Sequence, residues 1–170
     1  MSKIQIKKSG ITDIEADAIV NAANSGLWAG TGVCGAIFDA AGHNELQRAC
    51  QEIGHCNVGS AVITPGFKSK AKFIIHAVGP IWSGGNNKEA ELLFGAYYRS
   101  LELAKENRCE SIVFPLISSG VFGYPVDKAW KVAIDACENF IEDHPTYEIE
   151  IIFAVLDIGI MKIGCDILGK

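Results

Sequence analysis

The stretch DAIVNAANSGLWAGTGVCGAIFDAAG (residues 17–42) decides how this chain folds. Ala18, Ile19 and Val20 make a short apolar run that suits a buried strand ending near Asn21. Gly26, Gly30, Gly32 and Gly35 follow without a single Lys or Arg, and VCGAIFDAAG (33–42) then reads as a helix. Glycine loses more backbone freedom on folding than any other residue, so a run of it usually lets backbone come close to something. With no cation present, that something can still be an anion. Backbone N–H groups and the start of a helix carry enough positive character to hold one.

Outward from this unit the same alternation repeats. KIQIKK (3–8) alternates Ile4 and Ile6 with polar neighbours, as an edge strand would. SAVITP (60–65), KFIIHAVGP (72–80), CESIVFPLI (109–117) and YEIEIIFAVLD (147–157) are β-branched runs that read as strands. HNELQRACQEI (43–53) reads as a second helix after the first. KEAELLFGAYYRSLELAKEN (88–107) carries Leu92, Leu93, Tyr97, Leu101 and Ala104 at helical spacing. PVDKAWKVAIDACENFIED (125–143) opens with Pro125 and repeats Trp130, Ala133, Ile134, Cys137 and Ile141 in the same way. Strands alternating with helices predict one three-layer α/β/α domain over residues 1–170, with a mixed, largely parallel central sheet.

Bulk composition narrows the function. The 170 residues are 49% apolar and 21% charged, an ordinary globular balance. A net charge of −5 argues against a protein that coats nucleic acid, which requires clustered Lys and Arg. MSKIQIKKSG has no apolar leader segment, and Asp157 breaks the longest apolar stretch, EIEIIFAVLDIGIMKIG (148–164), well short of a membrane span. A soluble, cytoplasmic protein is expected. Cys34, Cys50, Cys56, Cys109, Cys137 and Cys165 are irregularly spaced and read as small apolar residues. His55-Cys56 is half of a metal site with no second half, so no metal is expected. His76, on an apolar strand, reads as an interior histidine.

Ligands of open α/β sheets bind beyond the carboxyl ends of the strands. A second loop of small residues, ISSGVFGYP (117–125), stands at such an end just ahead of a helix. Two such loops face to face would suit a diphosphate; the bland alternative is a pair of tight turns. Gly30, Gly32 and Gly35 spell GxGxxG, but the first Gly comes too far past the strand for a dinucleotide fingerprint, and no acidic residue finishes a second strand where a ribose would need it.

Taken together, DAIVNAANSGL…GTGVCGAIFDAAG, GSAVIT…KFIIHAVGPIW and SIVFPLISSGVFGYP resemble the macro domain family in order and spacing, from about Ile4 to Asp157. The resemblance implies an α/β/α fold that binds ADP-ribose with its diphosphate between two glycine-rich loops. It also implies, for many members, hydrolysis of ADP-ribose esters. Asn24 matches the residue that bonds the distal ribose, and Asn21 the first Asn of the same motif, a loop-bracing residue. Gly30, Gly32, Val33 and Gly35 match the first phosphate loop. Ser118, Ser119, Gly120, Val121, Phe122 and Gly123 match the second, with Phe122 over the distal ribose. Ile11 matches the apolar border of the adenine. The implied partners are ADP-ribose or its conjugates, ADP-ribosylated proteins among them. No cofactor, nucleic acid or membrane is implied, and the chain would be a monomer or weak oligomer.

Three positions depart from the family pattern. Gly10 stands where an Asp would accept the adenine amino group, and Leu156 where an aromatic would stack. Cys34 and Phe38 stand in GVCGAIF where ester-hydrolysing members carry Asp and His. Cys34 reads as a small structural residue, a nucleophile or a group orienting water. Asp39 reads as a solvated helix charge or a replacement carboxylate. Trp28 and Trp82 either rim the cleft or cap the core. Without the Asp, the ligand's own phosphate can hold the water, with Asn24 orienting the sugar. The candidate functions are an ADP-ribose ester hydrolase, of O-acetyl-ADP-ribose or modified acidic side chains, or a non-catalytic ADP-ribose-binding module, with another nucleotide-derived ligand left open by Gly10 and Leu156.

Overall fold

The computed structural model describes residues 2–169; Met1 and Lys170, the ends of the expected single-domain span, lie outside the described residues. Six strands form one sheet: β1 (Lys3–Lys8), β2 (Ala18–Ala22), β3 (Ala61–Pro65), β4 (Phe73–Ala77), β5 (Ser111–Phe114) and β6 (Glu150–Val155), in the order β1-β6-β5-β2-β4-β3. Every pairing is parallel except β3 with β4. The helices are α1 (Gly32–Ala41), α2 (His43–Ile53), α3 (Glu89–Glu106), α4 (Val126–Asp143) and α5 (Ile158–Leu168).

Strand alternation shows why the inner strands are apolar throughout. Val20, Ile75, Ile112, Phe114, Ile151 and Phe153 pack with Tyr97, Leu101, Trp130 and Phe140 of α3 and α4. Their neighbours Ile19, Ile74, Val113 and Ile152 pack with Ile37, Phe38 and Leu46 of α1 and α2. Successive side chains point to opposite faces, and both faces are covered, so no position on these strands can be polar without a partner.

Connectivity places the site. From β2 the chain crosses to β3 and β4 on one side, then returns through α3 to β5 on the other side of β2. The loops leaving β2 and β5 therefore diverge around a topological switch point, where a crevice opens.

One element was not read from the sequence. The apolar stretch 148–164 is not continuous: β6 ends at Val155 and α5 begins at Ile158. Asp157 Oδ1 accepts the Ile160 N–H at 3.0 Å, and Gly169, with φ of 84°, closes the other end. Among the described residues no helix is long and apolar enough to cross a membrane.

His76 lies wholly buried on β4 beside its cross-strand partner Asn21. Asn21 Nδ2 donates to His76 Nδ1 at 3.1 Å, which leaves the ring proton on Nε2, 3.0 Å from Thr64 Oγ1. Burial pushes the His76 pKa from 6.5 down to about 4. Between those values the unfolded chain binds a proton that the folded chain refuses, so stability falls as pH drops through this window and levels off below it. Urea unfolding should show a loss of about 3 kcal/mol from this group between pH 6.5 and 4. A His76→Gln variant with the same slope as the parent would refute that assignment.

Candidate functional site

A cleft of about 550 Å³ opens at the carboxyl end of the sheet, lined by residues that follow β1, β2, β4, β5 and β6. Of the lining residues only Asp157 has a charged side chain, and none is Lys, Arg or His. The other lining residues are uncharged, mostly small or apolar, with Ser9, Asn24, Thr31, Ser118 and Ser119 as the polar ones.

The first wall is the turn from β2 into α1. Asn24, Gly30, Thr31, Gly32, Val33 and Cys34 line the cleft. Asn24 brackets the turn: Oδ1 accepts the Trp28 N–H at 3.0 Å and Nδ2 donates to the Trp28 carbonyl at 3.1 Å. Gln47 of α2, which sequence reasoning passed over, holds the same turn by accepting from Ala29 N–H at 2.9 Å and donating to the Leu27 carbonyl at 3.2 Å. The first N–H groups of a helix have no intrahelical acceptor, and Thr31 makes no side-chain cap on α1. Among the described residues the N–H groups of Gly32, Val33 and Cys34, all cleft-lining, have no acceptor.

Gly35 was expected in this loop as a ligand contact. It sits inside α1 and does not line the cleft. A Cβ there would stand 2.8 Å from the Gly30 carbonyl oxygen, so its role is to let α1 close onto its own entry turn.

The second wall is the turn after β5. Ser118, Ser119, Gly120, Val121 and Phe122 line the cleft, and Gly123 does not. Ser118 holds φ at 68°, a conformation a side chain pays for with strain, while Tyr124 N–H donates to the Ser118 carbonyl at 2.9 Å and Gly123 N–H to that of Gly120 at 3.0 Å. Among the described residues, the N–H groups of Gly120, Val121 and Phe122 have no acceptor. Gly79 makes this turn possible: a Cβ there would meet Ser118 Oγ at 2.2 Å and Ile117 Cγ2 at 2.5 Å.

At the far end, Ile11 lies buried in a 3₁₀ turn (Ile11–Asp13) and lines the cleft with Ser9, Ile160 and the exposed Leu156. A side chain at Gly10 would meet Asp13 Oδ2 at 2.7 Å, so the Asp13 carboxylate already occupies that side of the turn.

The remaining candidates lie both in and away from the cleft. Asn21, expected as a loop-bracing residue, is a buried residue of β2 that does not line the cleft; its side chain bonds His76 and reaches the Cys34 thiol at the start of α1. Cys34 does line the cleft, but burial raises its thiol pKa, and the Gly30 N–H and the Asn21 side chain only partly offset that. The thiol stays protonated at neutral pH, which removes the basis for a nucleophilic thiolate. Asp39 is exposed on α1 and does not line the cleft, and Phe38 is buried in the core. Neither Trp28 nor Trp82 is a lining residue. His55 pairs with Asn57, and no cluster of metal-ligating side chains exists among the described residues.

Comparison with known proteins fits this arrangement. The family described as Macro domain matches residues 20–133. The O-acetyl-ADP-ribose deacetylase of Salmonella typhimurium is 50% identical over 144 residues, covering 82% of this chain and 80% of that protein. A macro domain-containing protein of Chlorobaculum tepidum is 51% identical over 136 residues, covering 80% of this chain and 78% of its own. Among solved structures, the Oceanobacillus iheyensis macrodomain with ADP superposes with a TM-score of 0.90 at 36% identity, covering 99% of this chain and 90% of that one. The Trypanosoma brucei macrodomain in complex with ADP-ribose gives 0.90 at 33% identity, covering 98% and 69%. With its switch-point cleft, its two glycine-rich turns and these relatives, the chain belongs to the macro domain family.

Proposed function

We propose that the cleft binds ADP-ribose with its diphosphate between the two turns, and that the protein hydrolyses ADP-ribose esters such as O-acetyl-ADP-ribose or mono-ADP-ribosylated acidic side chains. The observation that carries the reading is a lining with two sets of unpaired main-chain N–H groups, those of Gly32 to Cys34 and of Gly120 to Phe122, and no cation. Oriented amides at a helix start and in a tight turn suit a phosphate pair. Ile11 and Leu156 border the base, and Asn24 and Phe122 the distal ribose. The name and substrate of the Salmonella relative support the hydrolytic step.

In this scheme the two turns fix the ester for attack and stabilise developing charge through their N–H groups. Asn24 keeps one amide hydrogen and one lone pair free after bracketing Trp28, enough to orient a ribose hydroxyl. Water is held by the ligand's own phosphate, since the Cys34 thiol stays protonated and the one lining carboxylate, Asp157, caps α5. That same feature favours a second reading, a non-catalytic ADP-ribose-binding module. Turnover of O-acetyl-ADP-ribose separates the two.

Binding itself has a signature. A site built from Lys and Arg loses affinity steeply as salt rises, whereas fixed dipoles at short range are screened little. Calorimetric titration with ADP-ribose should therefore give a dissociation constant that changes less than about threefold between low and physiological salt. A steep salt dependence, or adenosine binding as tightly as ADP-ribose, would contradict a grip centred on the diphosphate.

A further inference from the structure

Behind the second turn lies a carboxylate that the scheme above does not use. Glu89, the first residue of α3, is 1% exposed although the loop before it, residues 83–88, is exposed throughout. Its Oε2 accepts the N–H groups of Ser83 and Gly85, each at 2.9 Å, and its Oε1 accepts that of Asn87 at 2.6 Å. Burial alone would raise its pKa, but these donors outweigh it and hold the carboxyl down at about 2. The loop is thus wrapped around one permanently ionised group.

What the loop carries is Trp82. Its main-chain N–H donates to the Phe122 carbonyl at 2.9 Å, and its ring packs on Tyr124 with centroids 4.8 Å apart. Lys128 Nζ stands over the ring, 5.3 Å from its centroid. Phe122 and Tyr124 flank the glycine that ends the second turn, and Phe122 lines the cleft. A continuous path of contacts therefore runs from a carboxylate outside the cleft to the main chain that faces the ligand.

We propose that Glu89 is a positioning residue for the second anion-holding turn, acting through the 83–87 loop and Trp82 on the main chain of Gly120 to Phe122. It touches no ligand and gives up no proton. Its three accepted N–H bonds set the height of Trp82, and Trp82 sets the Phe122 carbonyl and, with it, the direction of the neighbouring amides. The inference rests on the reading of the cleft as an ADP-ribose site, but its structural half is testable without any ligand.

The test uses the full chain, as wild type, Glu89→Gln, Trp82→Phe and the double variant. Glutamine keeps the shape but replaces one accepting oxygen by an NH₂ that faces N–H donors. Glu89→Gln should weaken ADP-ribose binding by about tenfold, the scale of one lost charge-assisted hydrogen bond. Trp82→Phe, which keeps the main-chain bond to Phe122 but loses the indole packing on Tyr124 and Lys128, should weaken it by a similar factor. The double variant should lose no more than about twofold beyond the worse single, because coupled residues are not additive. Amide resonances of Gly120 to Gly123 should shift in ligand-free Glu89→Gln while those of Gly32, Val33 and Cys34 stay in place. Unchanged affinity in Glu89→Gln, losses that multiply in the double variant, or amide shifts equal in both turns would overturn the proposal. If wild type fails to bind ADP-ribose, the ligand reading falls, and the amide map still decides the role of Glu89.

Discussion

Gly35→Ala should weaken ADP-ribose binding by about ten- to hundredfold, the range set by the 1–3 kcal/mol that overpacking usually costs. The sign is what makes the experiment informative. In an exposed helix interior, Gly to Ala adds up to about 1 kcal/mol of stability. Here the new methyl would press on the Gly30 carbonyl oxygen at 2.8 Å, and that atom is main chain that cannot rotate away. Either α1 retreats or the first turn opens, and both move the N–H groups of Gly32 to Cys34 off their line into the cleft. Calorimetry should show the loss of affinity, and a thermal melt should show a lower midpoint. A raised midpoint with unchanged affinity would mean that the close approach of helix and turn is not what shapes the site.

Asn24→Ala carries the second large expectation, a fall of about a hundredfold or more in kcat/KM for O-acetyl-ADP-ribose. Misplacement of a reacting group by about 1 Å costs rates of that order. Alanine removes the bracket on the Trp28 N–H and carbonyl, and with it the amide proposed above to orient the distal ribose. Steady-state turnover of the two proteins side by side checks it. Equal rates would leave Asn24 without a part in the chemistry. No turnover in either protein, with binding intact, would favour the module reading that Cys34 already suggests.

Most of the frame was legible from residues alone, because burial on both faces leaves a strand no choice but a β-branched apolar run. The runs at Ala18–Val20, Ile74–Ile75, Ile112–Phe114 and Ile151–Val155 announce themselves for that reason. Hidden from the sequence was α5, where apolar residues continue from strand into helix and hydropathy does not change. The signs were there in Asp157 and Gly169, a cap at each end, but the one was read only as a charge breaking an apolar stretch and the other was not read at all.

The site was legible by loop and not by residue. Asn24, residues 30–34 and residues 118–122 do line the cleft. Asn21 and Gly35, one motif away, do not, since the first turns inward on a strand and the second faces back along a helix. Glu89 could not be foreseen at all. Its partners are backbone N–H groups within six residues, and nothing in SGGNNKE distinguishes a buried carboxylate from a solvated one. Gln47 was opaque for a similar reason: it reaches a turn some twenty residues away through main-chain atoms.

On the proposed reading, main-chain nitrogen alone grips the pyrophosphate. A crystal structure of the protein soaked with ADP-ribose tests it most directly. The diphosphate oxygens should lie within hydrogen-bond distance of the N–H groups of Gly32 to Cys34 on one side and Gly120 to Phe122 on the other, with no Lys or Arg side chain in contact. Density showing the space between the turns empty, or the phosphates held elsewhere by cationic side chains, would contradict it.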